Sequence, residues 1–189
     1  MPLCGEVLIV DDTPENLQVL SAILRAEGLN VRLAPHGAFA LASVRARLPD
    51  LVLLDVRMPG LDGFETCRRL RDDPATCAVP VLFLSASDKA EERVAAFTAG
   101  GLDFIPKPFN AAEVVARVST HLTLARLRRE LAVANTRLAG CVRDEQAQRQ
   151  RVERVAAERQ LRLDLALDAA GMGIWALAGD GSGIACDAE

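Results

Sequence analysis

The stretch Leu51–Gly63, LVLLDVRMPGLDG, decides the fold of this chain. It opens with an unbroken apolar run, Leu51–Leu54, which is typical of a central strand buried on both faces of a parallel sheet. The run ends at the carboxylate of Asp55, and a turn at Met58–Gly60 follows before a helical pattern begins at Phe64. A carboxylate at the carboxyl end of a buried strand lies where open α/β sheets bind ligands, so Asp55 is a site candidate.

The chain on either side of this stretch alternates between short apolar strands and amphipathic helices. The predicted strands are Glu6–Val10, Asn30–Ala34, Leu51–Leu54, Val79–Ser85 and Asp103–Ile105, and the predicted helices begin near Pro14, Ala38, Phe64, Lys89 and Asn110. Asn110 is expected to cap the last of these helices. Such a run of strand-helix alternations predicts a doubly wound α/β sandwich built on a parallel sheet.

Composition limits the class of protein. At 189 residues the chain allows one domain with an appendage or two small domains. No apolar run reaches membrane-spanning length and no signal peptide is evident, so we expect a soluble cytoplasmic protein without a membrane partner. A net charge of -4 gives no reason to expect nucleic acid as the main partner, and the five scattered cysteines favour neither disulfides nor a zinc site.

A helical pattern continues far beyond Asn110. Apolar residues recur in steps of three and four at Leu124, Leu127, Leu131, Ala134, Leu138 and Cys141, and after the polar Glu145 and Gln148 the pattern returns at Val152 and Val155. This stripe predicts a long coiled-coil helix. Because few of its heptads are apolar and its middle is polar, we expect a parallel homodimer of modest strength.

Functional side chains follow four of the predicted strands. The carboxyl ends of the first, third, fourth and fifth strands carry Asp11 and Asp12, Asp55, Ser85, and Lys107. These ends share one edge of a doubly wound sheet, so the side chains are expected to meet in one pocket. Three adjacent carboxylates suit a hard cation such as Mg²⁺. With a lysine and a hydroxyl beside them, they supply what phosphoryl transfer to an aspartate requires.

Roughly from Glu6 to His121 the sequence resembles the receiver domains of two-component response regulators. The elements that carry the resemblance are Asp11-Asp12, Asp55 within DVRMPGLDG, Ser85-Ala86, Phe104, and Lys107-Pro108-Phe109. The resemblance implies a flavodoxin-like five-stranded sheet with strand order 2-1-3-4-5. It also implies a signalling module that catalyses only its own phosphorylation and dephosphorylation.

The resemblance assigns a role to each site residue. Asp55 would accept a phosphoryl group from a histidine kinase or a phosphotransfer protein. Asp12 and Asp55 would bind Mg²⁺ directly, Asp11 would act through water, and Arg57 would contribute its backbone carbonyl. Lys107 would contact the phosphoryl group, Ser85 would close onto it, and Phe104 would turn inward. We expect the Arg57 side chain at the mouth of the pocket.

Two shorter resemblances divide the chain into a receiver at 1–121, a coiled-coil linker at 122–160 and a third segment at 161–189. Residues 121–135 resemble the helical extension that links receivers to downstream modules, and LALDAAGMGIW at 165–175 resembles the entry of a PAS domain. We therefore expect a truncated PAS-like domain at the end of the chain. Any output enzyme would lie outside this sequence.

Two other functions fit part of the sequence. A constitutive dimerisation scaffold would use the receiver fold only as a docking surface. A flavodoxin-like ligand-binding protein would share the sheet order. The second is disfavoured because the loop after the first strand is acidic, whereas a phosphate-bearing cofactor needs glycines and free backbone N–H groups there.

Overall fold

The computed structural model of the chain describes residues 5–86 and 90–169. The chain divides into two compact units, Met1–Leu131 and Ala132–Glu189. Its elements, in order, are β1 (Glu6–Val10), α1 (Pro14–Ala26), β2 (Asn30–Ala34), α2 (Gly37–Ala46), β3 (Leu51–Asp55), α3 (Gly63–Asp72), β4 (Val81–Ser85), α4 (Ala90–Thr98), β5 (Asp103–Pro106) and α5 (Ala111–Ala169).

The first unit is built on a five-stranded parallel sheet with the order β2-β1-β3-β4-β5, which confirms the predicted fold. Every residue of β1, β3 and β4 is buried. The strand register aligns the ends that carry the predicted site, since Val10 pairs with Leu54 and Ser85 pairs with Pro106. The residues that follow, including Asp11 and Lys107, therefore emerge at the same edge as Asp55.

Helices cover both faces of the sheet. Alternate strand residues point to opposite faces, so Leu8 and Val10 join one apolar core while Val7 and Ile9 join the other. The first core includes residues of α2, α3 and α4, and the second includes residues of α1 and α5. This two-layer burial explains why the strands read as continuous apolar runs rather than as alternating patterns.

Helix starts are fixed by local hydrogen bonds. Asn110 Oδ1 accepts from the N–H of Glu113 at 3.2 Å, which confirms the predicted cap of α5. Helix α2 begins one residue earlier than predicted because His36 Nδ1 accepts from the N–H of Phe39 at 3.2 Å. Strand β4 begins at Val81 and not at Val79, since Pro80 has no N–H for the ladder.

At the opposite end of the sheet, strand β1 and helix α5 both contact Asp50. The N–H of Glu6 donates to Asp50 Oδ2 at 2.8 Å, and Arg129 Nη2 lies 2.7 Å from Asp50 Oδ1. Leu122 of α5 is 6% exposed and packs in the core on this side. Helix α5 is therefore attached to the amino end of β3 by an ion pair as well as by apolar packing.

In the second unit, the described residues form the remainder of α5. Apolar side chains along this part are exposed, among them Leu138, Val142, Val152 and Val155. The helix includes Leu165, so the start of the segment that the sequence predicts to be PAS-like is helical, while the remainder of that segment from 170 onward lies outside the described residues. Within the part of the chain that the structure describes, no helix has both the length and the apolar character that a membrane span requires.

Candidate functional site

Three carboxylates meet at the carboxyl edge of the sheet. One oxygen each from Asp11, Asp12 and Asp55 can be chosen so that all three lie within 4.8 Å of one another. Asp11 is 0% exposed and Asp55 is 5% exposed, whereas Asp12 is exposed to solvent. Converging carboxylate oxygens with one side open to water match the preference of Mg²⁺ for oxygen ligands and retained waters.

Asp11 is held in place by three donors. Its Oδ1 accepts from the N–H of Thr13 at 2.9 Å, and both of its oxygens lie 3.0 Å from Asn16 Nδ2. Its Oδ2 lies 2.8 Å from Lys107 Nζ. Helix α1 begins at Pro14, so its first turn brings Asn16 over the end of β1. Buried charge of this kind is tolerated because it is paired and hydrogen-bonded.

Lys107 joins two of the carboxylates. Its Nζ lies 2.8 Å from Asp11 Oδ2 and 3.0 Å from Asp55 Oδ1. Burial alone would lower the pKa of Lys107, but the hydrogen bonds and charges of the two aspartates raise it above its ordinary value. The lysine is therefore a fixed positive charge beside the carboxylate oxygens.

The pKa of Asp55 is raised above its ordinary value. Burial and the nearby charge of Asp11 raise the pKa of Asp55, although Lys107 and the backbone N–H of Arg57 act in the opposite direction. A divalent cation held by the same oxygens would favour the charged form of Asp55. The three converging carboxylate oxygens therefore fit a divalent metal.

The loop below Asp55 is shaped by the Asp62-Gly63 pair. Asp62 Oδ1 accepts from the N–H of Glu65 at 2.7 Å and so caps α3. The N–H of Gly63 donates to the carbonyl of Val56 at 3.0 Å. A Cβ at Gly63 would collide with the carbonyl oxygen of Asp55. Only glycine allows α3 to start this close to the end of β3.

A hydrogen-bonded chain runs from Arg57 to Ser85 through helix α4. Arg57 Nη2 lies 2.7 Å from Glu92 Oε1, and Ser85 Oγ lies 3.0 Å from Glu92 Oε2. Arg57 and Glu92 line the same cleft as Asp12, which agrees with the expected position of the Arg57 side chain at the pocket mouth. The pKa of Arg57 is raised by its hydrogen bond to Glu92 and by the charge of that carboxylate.

Phe104 is half-buried between two guanidinium groups. Its ring centroid lies 4.4 Å from Arg93 Cζ and 5.4 Å from Arg117 Cζ. Both distances fall within the range of cation–π attraction. Arg117 also pairs with Asp103 at 2.8 Å, and His121 Nε2 lies 3.2 Å from the same carboxylate.

The structure brings Asp11, Asp12, Asp55 and Lys107 together at the carboxyl edge of the sheet, with Lys107 directly contacting Asp11 and Asp55. Ser85 lies at the end of β4, whereas Phe104 lies within β5 opposite Phe83. Sequence reasoning missed Asn16 and Glu92. Asn16 could have been found from its place in the first turn of α1. Glu92 could not have been found by spacing alone, because its contact with Ser85 depends on how α4 lies against β4.

Comparison with known sequences identifies the family. Residues 7–119, more than half of the chain, match the response regulator receiver domain family. The chain belongs to this family. Receiver domains of this family are signalling modules.

Curated relatives of this receiver are response regulators. Response regulator PleD of Caulobacter vibrioides is 42% identical over 116 residues, covering 61% of this chain and 26% of that protein. The probable transcriptional regulatory protein TcrX of Mycobacterium tuberculosis is 43% identical over 112 residues, covering 59% of this chain and 47% of TcrX. The receiver chain thus spans between a quarter and a half of these relatives.

Solved structures agree with this assignment. A response regulator from Chloroflexus aurantiacus is 38% identical with a TM-score of 0.62, covering 64% of this chain and 99% of that one. The receiver domain of a signal transduction histidine kinase from Syntrophus aciditrophicus is 32% identical with a TM-score of 0.59, covering 63% of this chain and 90% of that one.

Proposed function

We propose that this receiver accepts a phosphoryl group on Asp55 from a histidine kinase or a phosphotransfer protein. The observation that carries the proposal is that Lys107 Nζ lies within 3.0 Å of Asp55 and 2.8 Å of Asp11 beside an exposed Asp12. In the reaction, a carboxylate oxygen of Asp55 forms a bond to phosphorus. The bond from phosphorus to the donor histidine nitrogen breaks, and its electron pair returns to the imidazole.

Bound Mg²⁺ would neutralise the oxygens of the transferring phosphoryl group. Asp12 and Asp55 would hold the ion directly, Asp11 would hold it through water, and Arg57 would contribute its backbone carbonyl. Lys107 is already oriented by the two aspartates and would contact the phosphoryl oxygens. Ser85 and Phe104 would then respond to the phosphoryl group, Ser85 by donating its hydroxyl and Phe104 by turning inward.

The state of Asp55 would reach an output domain through helix α5. Helix α5 runs without interruption from Ala111 to Ala169, so the helix that packs on the sheet is also the proposed linker. We propose that a second copy of the chain covers the exposed apolar residues of this linker as a coiled coil. Val152 is 64% exposed and Leu138 is 64% exposed in the single chain, which supports a partner for this stripe.

The test of phosphoryl transfer uses acetyl phosphate and beryllofluoride with Mg²⁺ on the whole chain. Wild type is expected to incorporate label from acetyl phosphate on Asp55 only when Mg²⁺ is present. Asp55→Asn should abolish labelling, while Asp144→Asn, an exposed aspartate of α5, should leave it unchanged. Labelling that persists in Asp55→Asn would contradict the proposal.

The alternative of a constitutive scaffold is favoured by the same exposed stripe on α5. Sedimentation with and without beryllofluoride separates the two functions. A dimer that forms equally in both conditions, in a chain that takes no label on Asp55, would favour the scaffold. A change in sedimentation that depends on beryllofluoride and is absent in Asp55→Asn would favour the phosphorylation switch.

A further inference from the structure

Two neighbouring residues of helix α4 hold the two side chains that are expected to switch. Glu92 accepts from the hydroxyl of Ser85 at 3.0 Å, and the guanidinium carbon of Arg93 lies 4.4 Å from the ring centroid of Phe104. Ser85, Glu92 and Phe104 also line one small cavity. A movement of any of these side chains therefore affects the space available to the others.

The hydrogen bond between Ser85 and Glu92 excludes the one that phosphorylation would require. A carboxylate can only accept, so the single hydroxyl hydrogen of Ser85 is the one used in this bond. The same hydrogen cannot be donated to a phosphoryl oxygen on Asp55 at the same time. Arg57 holds the other oxygen of Glu92 at 2.7 Å, which fixes the carboxylate over Ser85.

The negative charge of Glu92 also disfavours a phosphoryl group on Asp55. Glu92 lines the cleft that also contains Asp12. A phosphoryl group brings a charge of about -1.5 to -2 into this region. Removing the Glu92 carboxylate would therefore remove both a competing acceptor and a like charge, although Arg57 offsets part of the latter.

We propose that Glu92 is a positioning residue that holds the Ser85 hydroxyl away from the phosphoryl site and so sets how readily the activated state forms. This inference rests on the proposed phosphorylation of Asp55. Activation then requires the Ser85 hydroxyl to leave Glu92.

Beryllofluoride affinity in saturating Mg²⁺ tests the proposal on the whole chain. Glu92→Ala should bind beryllofluoride about tenfold more tightly than wild type, the factor expected for losing one competing hydrogen bond to a charged acceptor. Glu92→Gln should gain less, since its amide oxygen can still accept from Ser85. Glu91→Ala is the matched control, because Glu91 is an exposed carboxylate on the same turn, and its affinity should stay within about twofold of wild type.

A double-mutant cycle separates positioning from a general effect on α4. In a Ser85→Ala background the gain from Glu92→Ala should fall to the smaller part that comes from removing a like charge, because no hydroxyl remains to be released. An unchanged affinity in Glu92→Ala, or an equal gain with and without Ser85, would overturn the inference while leaving the proposed function intact. A wild-type chain that fails to bind beryllofluoride with Mg²⁺ would instead overturn the proposed function and this inference together.

Discussion

The Nζ atom of Lys107 lies 3.0 Å from Oδ1 of Asp55. The same ammonium group lies 2.8 Å from Asp11, whose side chain is 0% exposed. It is therefore a single positive charge shared by two buried carboxylates at the end of the sheet.

Replacing Lys107 should destabilise the metal-free protein. Lys107→Met leaves Asp11 and Asp55 without their counterion, and loss of one partner from a buried pair costs about 3 kcal/mol. Urea denaturation followed by circular dichroism measures the free energy of unfolding. Lys107→Arg keeps the positive charge, so its free energy of unfolding should fall much less than that of Lys107→Met. Equal stability of Lys107→Met and wild type would show that the aspartates do not depend on this pairing.

Magnesium should stabilise the folded protein, and chelation should reverse the effect. A ligand that binds only the folded state adds about 2.7 kcal/mol at a concentration one hundred times its Kd. We expect a saturable rise in Tm with MgCl₂ that is absent in Asp12→Asn. NaCl at matched ionic strength is the control for screening. A Tm that rises equally with NaCl would indicate an effect of ionic strength and not a bound ion.

The contact between β5 and α5 should make stability depend on Asp103 in a defined pH range. Burial alone would raise the pKa of Asp103, but the backbone N–H of Phe104 and the side chains of Arg117 and His121 together lower it. A carboxyl whose pKa is lowered on folding stabilises the protein above its unfolded pKa, about 3.9, and this contribution is lost as the pH falls through the folded value.

Asp103→Asn is therefore expected to lower the free energy of unfolding by about 1 kcal/mol at pH 7. The difference between variant and wild type should shrink as the pH falls below about 4. Thermal denaturation of both proteins from pH 7 to pH 3 measures this difference. A difference in stability between variant and wild type that stays constant from pH 7 to pH 3 would mean that ionisation of Asp103 is not its source.

Gly63→Ala should disturb the site through the backbone. A Cβ at this position meets the carbonyl oxygen of Asp55, so β3 and α3 must move apart, and we expect a loss of at least about 2 kcal/mol. Gly140→Ala is the control, since a Cβ at Gly140 meets no atom within 4 Å and should stabilise α5 by up to about 1 kcal/mol. The free energies of unfolding of the two variants should therefore change in opposite directions.

The fold was predictable because its strands carry a strong signal. The run Leu51–Leu54 is apolar throughout and is buried throughout. The carboxylates at the ends of the strands indicate the edge of the sheet where the site lies. The resemblance to receivers, which rested on separated elements such as Asp55 and Lys107, is confirmed by the family match. The coiled-coil dimer and the roles of the individual site residues remain predictions.

Other features could not be predicted, because they depend on the packing of distant elements. The bond from Ser85 to Glu92 requires a particular position of α4 on β4, which no local pattern encodes. The start of α2 was missed because His36 is not among the usual capping residues, yet its ring nitrogen serves as the acceptor. Arg93 and Arg117 came to lie over Phe104 from two different helices, so their spacing along the chain gave no signal.

The ion pair between Arg129 and Asp50 has a consequence for any signal that passes along α5. It joins α5 to the end of the sheet farthest from the acidic site. Because the Arg129 side chain is 62% exposed, the pair contributes at most about 1 kcal/mol to stability. Screening by salt would loosen it. The attachment of α5 to the sheet near Arg129 is therefore expected to weaken as ionic strength rises.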